Sequence, residues 1–360
     1  MREMERVRRA LAGAASRNEA AVLATVLSVE GSVYRGAGAR MVVLADGGTI
    51  GGVSGGCLEA DVVARAHAVL ARGAAEIVQY DTRSSDDAVL GLGLGCQGMI
   101  DVLLEPLAGG ALTEAVAFYG RVAARREPTT ILTRTHAQPG SSGGVGARAV
   151  LDEAGLVLEG DPALVNRDDD VAREEVRPAV PLLICGAGAD AQPLARMASE
   201  VGFHVTVVDH RAAFVSRARF PDADALVRLD VTDDLSSLHA HVQVDRRTAA
   251  VVMAHSARHD RAYLQAMLAA RARYIGVLGP RRRTLELLDA RAMHWEFPDS
   301  VYSPAGLDLG AETPEEIALS IIAEVSAVFA GRDGGMLRGR PGPIHPDRAR
   351  AGRPAEEAFR

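Results

Sequence analysis

Two cysteines in glycine-rich bends are the residues best suited to covalent or ligand chemistry. Cys57 lies in SGGCLE (54–59), with Ser54, Gly55 and Gly56 before it, and Cys96 lies in GLGLGCQG (91–98). Cys57 falls at the start of a helix predicted over 58–70, where free backbone amides would stabilise a thiolate. Such a thiol suits sulfur transfer, metal coordination or disulfide exchange. The same pattern also fits a small buried filler between tight turns, which is the reading for Cys185 inside an apolar run. No metal site is expected: there is no CxxC, and His67, ten residues past Cys57, lacks ligand spacing.

Arg35 and Arg40 flank a loop near the first bend and could fork onto a phosphate or another oxyanion, provided that they converge. Further on, His255 follows an apolar run at 249–254, at the carboxyl edge where open α/β sheets bind ligands. It is a candidate acid, base or ligand anchor. With His259 it also has an i,i+4 spacing, but it precedes the helix, which argues against a metal pair. YIGVLGPRRR (274–283) is a strand, a glycine and then arginines led by Arg281 at a helix start, suited to an anion or to a solvated turn.

These residues need elements to hold them, and the clearest is LLICGAGADAQPLARMASEVGFHVTVVD (182–209). It reads strand, glycine turn, helix, strand, acid, the order of a dinucleotide-binding βαβ unit. Gly186 permits the tight turn, Gly188 and Ala189 lie where a pyrophosphate approaches the backbone, and Ala191 lets the helix pack closely. Asp209, twenty-three residues after Gly186, is placed to accept from a ribose hydroxyl and to repel a 2′-phosphate. The alternative is a unit of the same shape that binds no dinucleotide.

Alternating strands (225–227, 249–253, 274–277) and helices (261–270, 282–291) extend this unit into a doubly wound parallel sheet. Thr313-Pro314-Glu315-Glu316 predicts a capped helix to about 329. Before it, strands are expected at 20–29, 40–44, 49–53, 76–80, 99–104, 129–135, 147–151 and 156–159, with helices at 58–70 and 111–124. The fold class is therefore α/β: an N-terminal α+β domain (1–178), then a Rossmann-like doubly wound parallel sheet (179–330). The charged run 166–177 reads as the linker between them. Residues 331–360, rich in Gly, Arg and Pro, read as a mobile tail.

The whole chain sets bounds. Its 360 residues suggest about two domains. A net charge of −7 argues against nucleic acid as the main partner. All 40 basic residues are arginine, which excludes lysine Schiff-base and P-loop chemistry. Three cysteines, an odd number, fit a reducing cytoplasm. The N-terminal stretch reads as a charged amphipathic helix, and no apolar run reaches the roughly 20 residues that span a bilayer.

Taken together, GSVYRGAGARM, SGGCLE, GLGCQG, the Rossmann stretch, AHSARHD, YIGVLGPRRR and GLDLGAETPEEIALSIIAEV resemble, in order, the xanthine dehydrogenase accessory (XdhC/CoxI) family over about residues 5–330. The resemblance implies a molybdenum-cofactor chaperone. It would bind the molybdopterin cofactor as cargo and protect it during sulfuration by a cysteine desulfurase. It would then assist insertion into a xanthine dehydrogenase-type molybdoenzyme. Cys57 and Cys96 match the family's two glycine-flanked cysteines, and Arg35 and Arg40 would hold the pterin phosphate. The chain departs from the family at Tyr34 and Ala37, where proline is usual, and at Gln97, where glycine is usual. A cytoplasmic homodimer is expected, more accessory protein than catalyst. The competing reading is an oxidoreductase using NAD(P), with His255 or a cysteine in proton or electron transfer. In either case the glycine turn is expected to form one wall of an interdomain site.

Overall fold

The computed structural model describes residues 2–81, 97–136, 143–167, 170–230, 237–288 and 297–339. The chain divides into two compact units, changing over at Val180 and Pro181.

The first unit is built on two antiparallel sheets. One has the order β3-β2-β1-β5-β4, from β1 (Ala21–Ser32), β2 (Arg40–Leu44), β3 (Thr49–Gly51), β4 (Glu76–Asp81) and β5 (Gln97–Leu107). Strand β1 reads as a nearly unbroken apolar run because both of its faces are covered. Successive side chains point to opposite faces, so Ala21 and Leu23 pack with α1 (Arg2–Ser16) and α3 (Gly109–Ala124). Val22, Ala24 and Val26 join the cluster that holds Leu58, and with it Val62, Ala66 and Val69 of α2 (Glu59–Arg72). The expected strand over 49–53 stops at Gly51, whose φ is +84° and where a Cβ would lie 2.3 Å from the Arg40 carbonyl oxygen.

The second sheet has the order β8-β7-β6-β9, from β6 (Thr129–Arg134), β7 (Arg148–Leu151), β8 (Val157–Gly160) and β9 (Val171–Val176). Here the linker reading fails. Val171–Val176 pairs antiparallel with β6, Thr129 opposite Val176 and Arg134 opposite Val171. Its charges made it look like a solvated tether, yet Glu174 is an ion-pair partner inside the unit.

In the second unit six strands are all parallel: β10 (Pro181–Cys185), β11 (His204–Asp209), β12 (Ala225–Arg228), β13 (Ala249–Val252), β14 (Tyr274–Val277) and β15 (Val301–Tyr302). Their order is β12-β11-β10-β13-β14-β15. The chain winds outward one way from β10, then returns and winds the other way from β13, so a crevice opens between β10 and β13 at the carboxyl ends. The helices are α4 (Ala191–Val201), α5 (Ser237–His241), α6 (Ala257–Ala269), α7 (Arg281–Leu287) and α8 (Pro314–Ala330). The two-residue strand β15 carries too little pattern to be read in advance. Helix α8 begins as the sequence demands: the Thr313 hydroxyl accepts from the Glu316 amide at 3.3 Å, and Glu316 accepts from the Thr313 amide at 2.9 Å. Ile321 and Val325 are buried and Ile317 and Val328 half-buried along its stripe. Of the expected tail, 340–360 lies outside the described residues. Among the described residues no helix is long and apolar enough to cross a membrane.

Candidate functional site

In the first unit the thiol loop connects β3 to α2. Its organiser is Glu59, the first residue of the helix. Its Oε1 accepts from the amides of Val53 (3.2 Å) and Ser54 (2.8 Å), while Oε2 accepts from the Ser54 hydroxyl and the Leu58 amide (3.2 Å). Ser54 Oγ also accepts from the amides of Gly56 (3.2 Å) and Leu58 (3.1 Å). Burial opposes the Glu59 charge, but these donors outweigh it and hold the carboxyl below its ordinary range. Cys57 is half-buried with its thiol free. The expectation that helix-start amides would serve a Cys57 thiolate needs correcting, because the Gly56 and Leu58 amides already donate to Ser54 and Glu59. Gly56 needs its glycine for a φ of +111°. Gly55 lies under the ring of Tyr34, where a Cβ would sit 3.3 Å from Tyr34 Cγ, and Tyr34 itself is 74% exposed. Cys96, the second expected thiol, lies outside the described residues.

Arg35 and Arg40 do not converge on an open anion site. Arg40 is 3% exposed and inside the unit. It pairs with Glu174, donates to the Gly38 carbonyl at 2.8 Å, and lies 4.9 Å from the centroid of the Tyr119 ring. Arg35 pairs with Glu3, whose other oxygen accepts from the Arg40 amide at 3.1 Å. These are structural ion pairs within one unit, so the phosphate role expected of Arg40 is withdrawn. Its partner at position 174 could not be found by local spacing.

In the second unit the glycine turn sits at the switch of strand order. Gly186 has φ +120°, and a Cβ there would lie 2.6 Å from Ala254 Cα, so only glycine lets the turn lie against the end of β13. Gly188 lies under His255: a Cβ on it would be 3.7 Å from His255 Cδ2. Ala189 and Asp190 complete the turn into α4. Asp209, at the end of β11, does not present a free carboxylate. One oxygen accepts from the Ala187 amide (2.8 Å) and Arg211 Nη2 (2.7 Å), the other from the Arg211 amide (2.8 Å) and Nε (2.9 Å). Burial opposes its charge, but these donors prevail and lower the carboxyl to about 2.

AHSARHD and LGPRRR form one device. Asp260 is fully buried, accepts from the Ala254 amide at 2.8 Å, and pairs with Arg283. Arg283 also donates to the Leu278 carbonyl at 3.1 Å. The third arginine of the run is therefore the one tied to the sheet edge. Arg281, the expected anion ligand, is exposed with its guanidinium 4.2 Å from the Phe297 ring centroid. His255 has a left-handed backbone, φ +56°, and its Nε2 lies 3.2 Å from Asp190 Oδ2. A non-glycine residue there is uncommon and concentrates at functional sites. The pair can hold or pass a proton at the rim of the glycine turn. His259 turns elsewhere, stacking on His210 with centroids 4.0 Å apart. No cluster of three metal-type ligands exists among the described residues. Cys185 is buried filler, its thiol pushed up by burial and by the Asp260 charge.

Sequence reasoning missed three residues here: Asp190 as the partner of His255, and Arg211 and Arg219, whose guanidiniums both approach the Phe214 ring, at 4.0 and 4.8 Å from its centroid. The local signal for Arg211 was its place two residues past the acid.

Strand order and glycine turn define a Rossmann protein, joined here to an antiparallel unit that carries a thiol loop. Residues 182–325 match the model of the XdhC Rossmann domain, and 14–81 that of the XdhC and CoxI family. The chain is 34% identical over 323 residues to a probable xanthine dehydrogenase component of Bacillus subtilis, covering 85% of this chain and 92% of that one. It is 27% identical over 311 residues to the molybdenum cofactor insertion chaperone PaoD of Escherichia coli, covering 86% and 83%. A crystal structure described as a xanthine dehydrogenase from Bacillus halodurans superposes with a TM-score of 0.76 at 32% identity, covering 94% of this chain and 98% of that one. The chain belongs to the XdhC and CoxI family.

Proposed function

We propose that this protein serves in molybdenum-cofactor maturation: it binds the cofactor as cargo, protects it, and assists its insertion into a xanthine dehydrogenase-type hydroxylase. The observation that carries the reading is the thiol loop. Glu59 fixes the backbone on both sides of a free, half-buried Cys57, in a chain similar over 86% of its length to a protein named for cofactor insertion. Thiolate is a soft ligand and a competent sulfur carrier. A loop held this firmly presents it at a fixed position without closing over it. In this reading Cys57 and Cys96 handle the cofactor while a cysteine desulfurase supplies sulfur, and the protein acts stoichiometrically, as a homodimer in the cytoplasm. His255 and Asp190 then assist proton movement and carry no turnover of their own.

The test is anaerobic purification followed by quantification of released molybdopterin. The wild-type protein retains a molybdopterin species, and Cys57→Ala and Cys96→Ala each retain much less. Absence of pterin from the wild-type protein, or full retention by both variants, refutes the reading.

A further inference from the structure

The acid and the arginines at the end of β11 have exchanged the roles that their order in the chain suggests. In a dinucleotide-binding unit the acid at this strand end accepts from the ribose 2′-hydroxyl, whereas a nearby arginine accommodates a 2′-phosphate. Asp209 is 1% exposed, and each of its oxygens already accepts two hydrogen bonds, from the Ala187 amide and from Arg211. A ribose hydroxyl arriving at this edge would find no exposed carboxylate oxygen.

It would find guanidinium groups. Arg211 is fixed by Asp209 yet remains 36% exposed. Arg219 donates to the Ala187 carbonyl at 3.3 Å, which ties it to the glycine turn itself. Both lie near Phe214, so the two cations are gathered at one aromatic ring beside the turn. The Asp209 charge offsets that of Arg211. Arg219 has no carboxylate partner among the described residues, and its Nε is buried with no acceptor. A buried guanidinium donor without a partner costs stability, and a phosphate oxygen is the group that its fork fits best.

We propose that this edge binds a phosphomonoester dianion carried on ribose, so that the dinucleotide accepted at Gly186–Ala191 is the 2′-phosphorylated one, NADPH, and not NADH. The ligand's pyrophosphate lies along the turn between Gly188 and the start of α4, and its 2′-phosphate reaches Arg219 and Arg211. The assignment is independent of the cargo reading above, since it concerns the second unit alone.

Titration of the cargo-free full chain with NADPH and with NADH, by calorimetry and thermal shift, tests it. One or two charge-assisted hydrogen bonds correspond to about tenfold to a hundredfold tighter binding of NADPH. Arg219→Ala brings NADPH to within about threefold of NADH and leaves NADH unchanged, as expected when that contact is removed. Equal or tighter NADH binding, no binding of either nucleotide, or a preference that survives Arg219→Ala overturns the proposal. If Arg219→Ala does not fold, Arg219→Gln and the wild-type ratio decide it. A phosphorylated pterin offers the same dianion. Stabilisation by a pterin monophosphate with none by NADPH overturns the dinucleotide assignment.

Discussion

The Asp209 carboxylate accepts from the amide of Ala187 at 2.8 Å, so the acid closing β11 holds the glycine turn after β10 from within. That bond, together with Arg211, makes Asp209 a structural residue with a pH signature. A carboxyl lowered to about 2 in the folded chain, against an ordinary 3.8, contributes stability that is fully present above about pH 4. It is lost as pH falls through the folded value. The contribution is about 2 kcal/mol at neutral pH. Urea unfolding of wild type and Asp209→Asn at pH 7, 4 and 3 checks this. The gap between them is largest at pH 7 and narrows below pH 4; a gap independent of pH contradicts it.

Arg40 and Glu174 make a second buried pair, spanning β2 and β9 within the first unit. Removing one member leaves the other charged and desolvated, which costs about 3–5 kcal/mol. Glu174→Gln and Arg40→Ala should each lower the urea midpoint of the first unit strongly. The double variant Arg40→Met/Glu174→Met should recover part of the loss, because an apolar pair has no charge to leave unpaired. Recovery is the decisive measurement, since a purely geometric defect would worsen with the second substitution.

This pair also shows what the sequence could and could not disclose. The βαβ unit was legible because its evidence is local: Gly186, Gly188 and Ala191 at fixed spacing, two β-branched runs, and Asp209. The capping box at Thr313 and Glu316 was legible for the same reason. Strand β9 was not, since three of its six residues are charged and its pairing with β6 lies some forty positions away. Arg40 looked like an anion ligand because its partner Glu174 is 134 positions distant. Arg219 reaches Ala187 across 32 positions, so its convergence with Arg211 at Phe214 had no local signal. Residue type was readable throughout; pairing over distance was not.

Glu59 offers a test confined to the thiol loop. Its carboxylate gathers the Val53, Ser54 and Leu58 amides, and Glu59→Gln keeps the shape while weakening the acceptor. The expected cost is about 1–3 kcal/mol. It should appear as faster hydrogen exchange at Ser54 and Leu58, with little change at Val102 or Leu104 in the sheet. In the wild-type protein the same protection is present above the ordinary carboxylate range and declines on acidification, because the folded Glu59 carboxyl lies below that range. Uniform loss of protection across the unit would instead mean that the loop and the sheet unfold together.

His255 separates backbone from side chain. With φ +56° it occupies a region that costs a non-glycine residue about 1 kcal/mol, a cost that glycine avoids. His255→Ala and His255→Gly both remove the contact with Asp190, 3.2 Å from Nε2, so the difference between them reports the backbone alone. His255→Gly should be the more stable by about 1 kcal/mol in urea unfolding, offset in part by the greater flexibility of glycine in the unfolded chain. Equal stabilities would mean that the turn relaxes once the imidazole is gone. In that case the side chain and Asp190, rather than the packing of Gly186 against Ala254, hold residue 255 in its left-handed conformation.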